Sequence, residues 1–454
     1  MAQGFLQNSE YVCVGTPEEN VLETYFVMLS CFNFDRAKDQ CERERDIKSA
    51  GGGGVTWCDF MNLLSRLSTA ETSYFSMQFN GRSFFKKQLS VVYDGLLHEF
   101  KKVHEVYHHR RGGTDFSWER KLAELLTSVM EFVAARRDMI GFYQILNTLH
   151  SCPGDCIRSN QTLRDIRERH SECFQHVFLK PLKQSFWSEV EVLSLLLKAQ
   201  ISLSDWQYLP SLISLQSAQT KLSLWHGLHP PGLNTQTTSP RSMRSSSNAS
   251  SCLSSYPPLY KWLCTFHNVL MAKFTTYFYK NLHSGGFLND SKIISHKFQD
   301  DFLNLFSVLL KQAPPNSCVC LVFDSNGLAG YKGPQYETPS AESPSLSGLN
   351  SYPIMMSIPQ DYEFLSHRAN IVSMIMNQKS ASNTTSIIST QLDTKLSCTY
   401  HLAQIEERVT MVTIVTTMRG KGYEVLIKKL TDVVSQLRLQ HLVQALSVAS
   451  SKRE

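Results

Sequence analysis

Between Ser117 and Leu149 the apolar residues keep to a helical ruler. Leu122, Leu126, Val129, Val133, Ile140 and Tyr143 fall on one line, with steps of three, four or seven residues. Leu125, Phe132, Met139, Phe142 and Leu146 widen the stripe. A helix this long, with so wide an apolar face, has to be covered by other helices, which predicts a bundle. The same ruler finds the neighbours. Thr16-Pro17-Glu18-Glu19 is a start signal: Thr caps, Pro suits the first helical position, and Glu19 can close a capping box. Val21, Leu22, Tyr25, Phe26, Met28 and Leu29 then form an apolar face. Asp35–Lys48 is nearly all charge, with Asp39–Arg43 and Glu44–Lys48 one turn apart, as on a solvated helix face. Trp57, Phe60, Leu64, Leu67 and Tyr74 or Phe75 mark a third helix, starting at Thr56 and Asp59. Phe174–Ala199, Ser204–Leu224, Leu259–Leu282 and Ile293–Lys311 complete the set.

The segment SDWQYLPSLISLQSAQTK, Ser204–Lys221, reads as one of these helices rather than as a ligand-lining loop. Ser204 or Asp205 can cap it, and Pro210 falls near the first turn, where a missing N–H is harmless. Trp206, Leu209, Ile213, Thr220 and Leu224 can share a face, with Leu212, Leu215 and Leu222 beside it. Whether Trp206 and Tyr208 meet the core or a partner subunit is open at this level.

After Ala313-Pro314-Pro315 the period becomes strand-like. Cys318–Phe323 runs into an Asp324-Ser325-Asn326-Gly327 turn, and Ile354–Ile358, Ile371–Met376, Cys398–Ala403 and Val409–Met418 follow as predicted strands. A last helix begins near Tyr423, with Leu426, Leu430, Val433 and Leu437 on its face. The expected fold is mainly α with α+β: an N-terminal helical bundle followed by a small C-terminal domain of antiparallel sheet plus helix. The expected organisation is a bundle over 1–225, a Ser/Pro-rich linker or insertion over 226–258, further bundle helices over 259–312, and the α+β domain over 313–454. The linker is Ser, Pro, Thr and Asn with few bulky apolar residues, too few to offset its ordering entropy. Ser239-Pro240, Arg241 and Arg244 within it, followed by serines, fit kinase substrates. A second variable loop is expected over Tyr331–Tyr352.

A chain of 454 residues calls for two or three domains, and 42% hydrophobic residues suffice for real cores. A net charge of +5, without a basic block, gives no support to a dedicated nucleic-acid binder. The first twenty residues lack a basic start followed by an apolar run, so no secretory signal is expected, and the 12 cysteines are expected as reduced thiols. The Asn-x-Ser/Thr matches at Asn160, Asn248, Asn289 and Asn383 are then not glycosylation sites. No apolar run approaches a membrane span, and any membrane association is expected through partners.

Chemistry-bearing motifs are sparse. Gly51–Gly54 has no following Lys-Ser/Thr and lies between helices, so it reads as a linker rather than a phosphate loop. No Gly-x-Ser-x-Gly or His-Glu-x-x-His occurs. His150, Cys152 and Cys156 offer zinc-type donors without a second pair, and read as a turn. Cys318 and Cys320 fall on one strand face and read as small core residues. His108-His109-Arg110-Arg111 reads as a solvated loop. No catalytic, cofactor-binding or metal residue is predicted, and no partner-binding residue is assigned.

Several stretches occur together and in order: VLETYF (Val21–Phe26), FDRAKDQCERERDIKSAGG (Phe34–Gly52), GRSFFKK (Gly81–Lys87), FVAARRDMIGFY (Phe132–Tyr143), the run Leu195–Leu222, LMAKFTTYFY (Leu270–Tyr279) and VCLVFDSNG (Val319–Gly327). Together they resemble the family of the second subunit of the KICSTOR complex. The likeness runs from about Val21 through the last strands; the residues before Val21, the Ser-rich stretch and the Tyr331–Tyr352 loop depart from it. The resemblance implies a bundle followed by an α+β domain, and a non-enzymatic scaffold without cofactors. It implies kaptin, an integrin-alpha FG-GAP repeat protein and a very large seizure-threshold protein as fellow subunits, peripheral at the lysosomal membrane. It further implies recruitment of the GATOR GTPase-activating complex toward Rag GTPases, restraining TOR kinase signalling when amino acids or glucose are scarce. Two other readings stand beside it: a small-GTPase or trafficking adaptor with a longin- or roadblock-like C-terminal domain, and an enzyme with a Cys or His nucleophile.

Overall fold

The structure, a computed structural model, describes residues 16–50, 55–79, 88–109, 116–148, 153–227, 256–279, 282, 302–328, 347–380, 387–416 and 421–448. Gly51–Gly54, His150, Cys152, Arg110, Arg111, most of the Ser-rich stretch with Arg241 and Arg244, and most of the second loop therefore lie outside the described residues.

Eight helices lead the fold: α1 (Pro17–Ser30), α2 (Phe34–Ala50), α3 (Val55–Phe75), α4 (Leu89–His109), α5 (Phe116–Thr148), α6 (Pro153–His170), α7 (Lys180–Ser204) and α8 (Tyr208–Gly227). The predicted capping box is present: Thr16 Oγ1 accepts from the Glu19 amide at 3.3 Å, and Glu19 Oε2 accepts from the Thr16 amide at 3.1 Å. On α5 all the predicted stripe residues from Leu122 to Leu146 are buried, as α4, α6 and neighbouring helices cover its face. Lys48 pairs with Glu18 of α1 at 2.6 Å rather than with Glu44, tying the charged helix α2 to its neighbour. Helix α7 begins at Lys180 instead of Phe174, because Pro181 needs a first-turn position and Phe174 takes a left-handed φ of 42°.

Helices α9 (Pro258–Tyr277) and α10 (Phe302–Leu310) lead into β1 (Cys318–Phe323) and β2 (Ile354–Ile358); α11 (Arg368–Ser380), β3 (Ser389–Asp393), β4 (Cys398–Gln404), β5 (Val409–Thr416), α12 (Lys421–Leu437) and α13 (Gln440–Val448) follow. The five strands form one sheet in the order β2-β1-β5-β4-β3, every neighbouring pair antiparallel. The fold is thus mainly α with an α+β part, as the change of period predicts.

The sheet is covered on both faces. Val319, Leu321 and Phe323 belong to one core continuous with the helical part, α12 and α13. Cys318, Cys320 and Val322 face the other way, into a smaller core with Ile371, Val372, Met374 and Ile375. Burial on both sides is why CVCLVF reads as an unbroken apolar run. Ile371–Met376 is a correction: it is helix, not strand. Residues 371, 372, 374 and 375 are buried while Ser373 and Met376 are exposed, a helical spacing that β-branched composition had masked. Helix α13 turns back on Leu439 (φ 60°) and packs against α5 and α9, where Trp262 Nε1 donates to the Leu442 carbonyl at 2.9 Å.

Candidate functional site

Two clusters of described polar side chains are sealed from solvent. The first lies inside the bundle. Arg136 of α5 is fully buried between Glu71 of α3 and Glu189 of α7, also fully buried. Arg136 Nε donates to both Glu71 oxygens at 3.2 Å, and Nη1 donates to Glu189 Oε2 at 2.6 Å. Three phenols finish the cage: Tyr74 and Tyr143 donate to Glu189 Oε1 at 2.6 and 2.8 Å, and Tyr93 donates to Glu71 Oε1 at 2.7 Å. The guanidinium lies 4.3 Å from the Tyr74 ring centre and near Phe75, Phe132 and Phe186. Burial pushes the Glu71 carboxyl up, against the pull of Arg136. Burial and the adjacent carboxylates hold the Tyr74, Tyr93 and Tyr143 hydroxyls well above their ordinary range. These groups cross-link α3, α4, α5 and α7, and none is open to a substrate.

The second cluster is the seam between helices and sheet. Lys273 of α9 is fully buried and pairs with Glu406 in the β4–β5 turn. Its Nζ also donates to Gln200 Oε1 of α7 at 3.2 Å and to the Leu437 carbonyl at the end of α12 at 3.1 Å. Gln200 Nε2 in turn donates to Glu406 Oε1 at 2.9 Å. One ammonium thus joins a helix of the N-terminal part, a strand turn and a C-terminal helix.

Trp206 belongs to this seam. Ser204 is the last residue of α7 rather than a cap for α8, which starts at Tyr208 and places Pro210 in its first turn. The junction is a Schellman turn: the Trp206 amide donates to the Leu203 carbonyl at 3.0 Å, and the Gln207 amide to the Ser202 carbonyl at 2.8 Å. Trp206 occupies the left-handed position, φ 56°, where glycine is usual. Its indole is 6% exposed, stacks on Tyr277 at 4.5 Å and 7°, and meets Phe323 of β1 at 5.5 Å. Tyr208 is half-buried against Phe274 and Phe278. Both residues face the core.

The rest of that predicted face does not. Leu209, Ile213 and Leu224 are 39%, 62% and 61% exposed, whereas Ser211, Leu215, Ala218, Leu222 and Trp225 are buried. The outward side of α8 is therefore uncharged and mixed, with Leu209, Ile213 and Leu224 exposed among Gln216, Gln219, Thr220 and Ser223, and it is flanked by a Lys221–Glu191 pair.

Of the earlier candidates, Cys318 and Cys320 are buried in the small core against α11, and Cys156 is half-buried in the first turn of α6. Among the described residues no group of three or more His, Cys, Asp or Glu is disposed to hold a metal, and no helix is long and apolar enough to cross a membrane. Sequence reasoning passed over Arg136, Glu71, Glu189 and Lys273. A signal was present: each charge falls at the register of an apolar stripe, as Arg136 does between Phe132, Val133 and Ile140.

Comparison with known proteins bears on the whole arrangement. Residues 13–451 match the family described as "KICSTOR complex C12orf66 like". The chain belongs to this family. KICSTOR subunit 2 of Danio rerio is 29% identical over 432 residues, covering 93% of this chain and 94% of that protein. KICSTOR subunit 2 of Xenopus laevis is 31% identical over 417 residues, covering 89% and 91%. In this C12orf66-like chain the run Leu195–Leu222 forms the end of α7, the Trp206 turn and most of α8, so it brings Gln200 and Trp206 to the seam and carries the exposed Leu209 and Ile213.

Proposed function

We propose that this chain is a non-enzymatic scaffold subunit of a KICSTOR-like complex. In this role it joins kaptin, an FG-GAP repeat protein and a seizure-threshold protein, and sits at the lysosomal surface through those partners. The assembly recruits the GATOR GTPase-activating complex and lowers TOR kinase signalling when amino acids or glucose run short. The observation that carries this is the family match over residues 13–451, with relatives named KICSTOR subunit 2 across about nine-tenths of both chains. The sealed polar clusters agree with it: the strongest concentration of charge links helices in the core. Affinity purification of the tagged protein from fed and amino-acid-starved cells, read by mass spectrometry, tests it. Recovery of the other three subunits in either state is expected; their absence in both states refutes the assignment.

A second reading is a small-GTPase or trafficking adaptor of another kind. The sheet order β2-β1-β5-β4-β3 favours it, with α11 on one face and α12 and α13 on the other, the connectivity of a longin-type platform. Purification that returns a small GTPase or a vesicle-tethering complex, and no KICSTOR-type subunit, selects it.

A further inference from the structure

We propose that His401 is an acid-sensitive catch, whose protonation releases the edge strand β3 and the first turns of α12 from the sheet. His401 lies on β4, opposite Thr390 of β3 and opposite Thr413 of β5 in the register of the sheet. Its side chain is 1% exposed, and Nδ1 lies 2.9 Å from Thr390 Oγ1. The ring of Tyr423, in the first turn of α12, covers it at 5.7 Å. His401 Nε2 and Thr413 Oγ1 are both buried without a hydrogen-bond partner among the described residues. Each element packed on the imidazole thus offers a hydroxyl or a ring, and none of these offers a carboxylate. Asp393, the acid of β3, faces the other side of the sheet, where it accepts from Asn370 at 2.7 Å. Glu424 and Lys428 of α12 are exposed.

A proton on this ring is therefore a buried, uncompensated charge, and the structure relieves it most readily by opening. The opening unit is the weakest part of the sheet. Strand β3 is short, mostly exposed, and bonded on one side only, to β4. When it leaves, the imidazole reaches water and the backbone edge of β4, Cys398–Gln404, is uncovered as a strand-shaped recognition surface.

Burial pushes His401 down from 6.5 to about 4. A depressed histidine favours the closed state fully above pH 6.5, and that preference is lost as pH falls toward 4. With those two values the opening equilibrium increases about 25-fold between pH 7.4 and pH 5.0.

Hydrogen exchange of the full chain at pH 7.4 and 5.0, corrected for intrinsic rates, measures it. Peptides covering Ser389–Asp393 and the first half of α12 are expected to lose about 25-fold protection at pH 5.0, while β1 peptides do not. In His401→Gln the local pH dependence is expected to vanish. Equal β3 protection at both pH values in the unmodified chain, or the same loss in His401→Gln, overturns the proposal. If His401→Gln fails to fold, NMR titration of histidine-labelled protein replaces it. One imidazole titrating near pH 4 and moved by Thr390→Val is expected; no such depressed imidazole refutes the catch.

Discussion

Trp206→Ala separates core from interface. The indole is almost entirely buried and stacked on Tyr277, with Phe278 and Phe323 around it. Truncating a buried aromatic to alanine loses about 3–5 kcal/mol through lost transfer energy and the remaining cavity. Part of that is the stacked pair, about 0.5–1.5 kcal/mol beyond area burial. The backbone sharpens the test, because alanine inherits the left-handed φ of 56°. Trp206→Gly removes the same ring but relieves about 1 kcal/mol of backbone strain, so it should unfold no more easily than Trp206→Ala despite its smaller side chain. Urea denaturation followed by far-UV circular dichroism gives both values. Because the ring bridges α9 and β1, near-UV signal from the seam should be lost at lower urea than helix signal from the bundle. Unchanged midpoints in both variants, with failure to assemble with partners, would refute the core assignment and place Trp206 at an interface.

The Arg136 cage gives a second measurement. Arg136→Met strands two buried carboxylates and should cost about 3–5 kcal/mol, part of it recovered on adding Glu71→Gln and Glu189→Gln. Glu71 is already raised by burial, and losing Arg136 raises it further. A raised carboxyl favours the fold below its unfolded value, and that contribution is lost as pH rises, so the loss caused by Arg136→Met, taken against the unmodified chain at each pH, should be smaller at pH 5 than at pH 8 in urea titrations. At the seam, Lys273→Met alone should be strongly destabilising, and the double variant with Glu406→Leu should recover most of the loss in a double-mutant cycle. On α8, Ile213→Asn and Leu224→Gln should stay within about 0.5 kcal/mol of the unmodified chain, since both side chains are exposed; a larger loss in thermal melts would contradict the orientation of the helix.

What could be read ahead of the structure followed periodicity. The stripe on α5, the cap at Thr16 and the strands β1, β2, β4 and β5 each carry a local signal with a known spacing. Helix α6 escaped because its sequence is largely polar, and Leu163 and Ile166 are the two buried apolar side chains described on it. Strand β3 escaped because an edge strand exposed over most of its length needs no alternation. Ile371–Met376 misled because a short β-branched run has the composition of a strand, and only the burial of 371, 372, 374 and 375 reveals the helical step. On α8 an apolar residue every third or fourth position defined two candidate faces. The ruler chose the one ending in Leu224, while the close approach of α7 and α9 selects the small residues Ser211 and Ala218 for the inside.

The buried charges were the largest omission, and they explain how the parts are joined. A charge at a stripe position forbids any packing that does not bring it a partner, so Arg136 fixes the relative register of α3, α5 and α7. Lys273 does the same for α9 against the β4–β5 turn and the end of α12. Such clusters add little net stability over apolar packing, but they make alternative arrangements costly. With α13 returning to pack on α5 and α9, the sheet cannot shift without breaking a buried ion pair and a helix contact together. Outside this frame α8 turns Leu209, Ile213 and Leu224 to solvent among Gln216, Gln219, Thr220 and Ser223, and none of these exposed positions carries a charge that would constrain the packing.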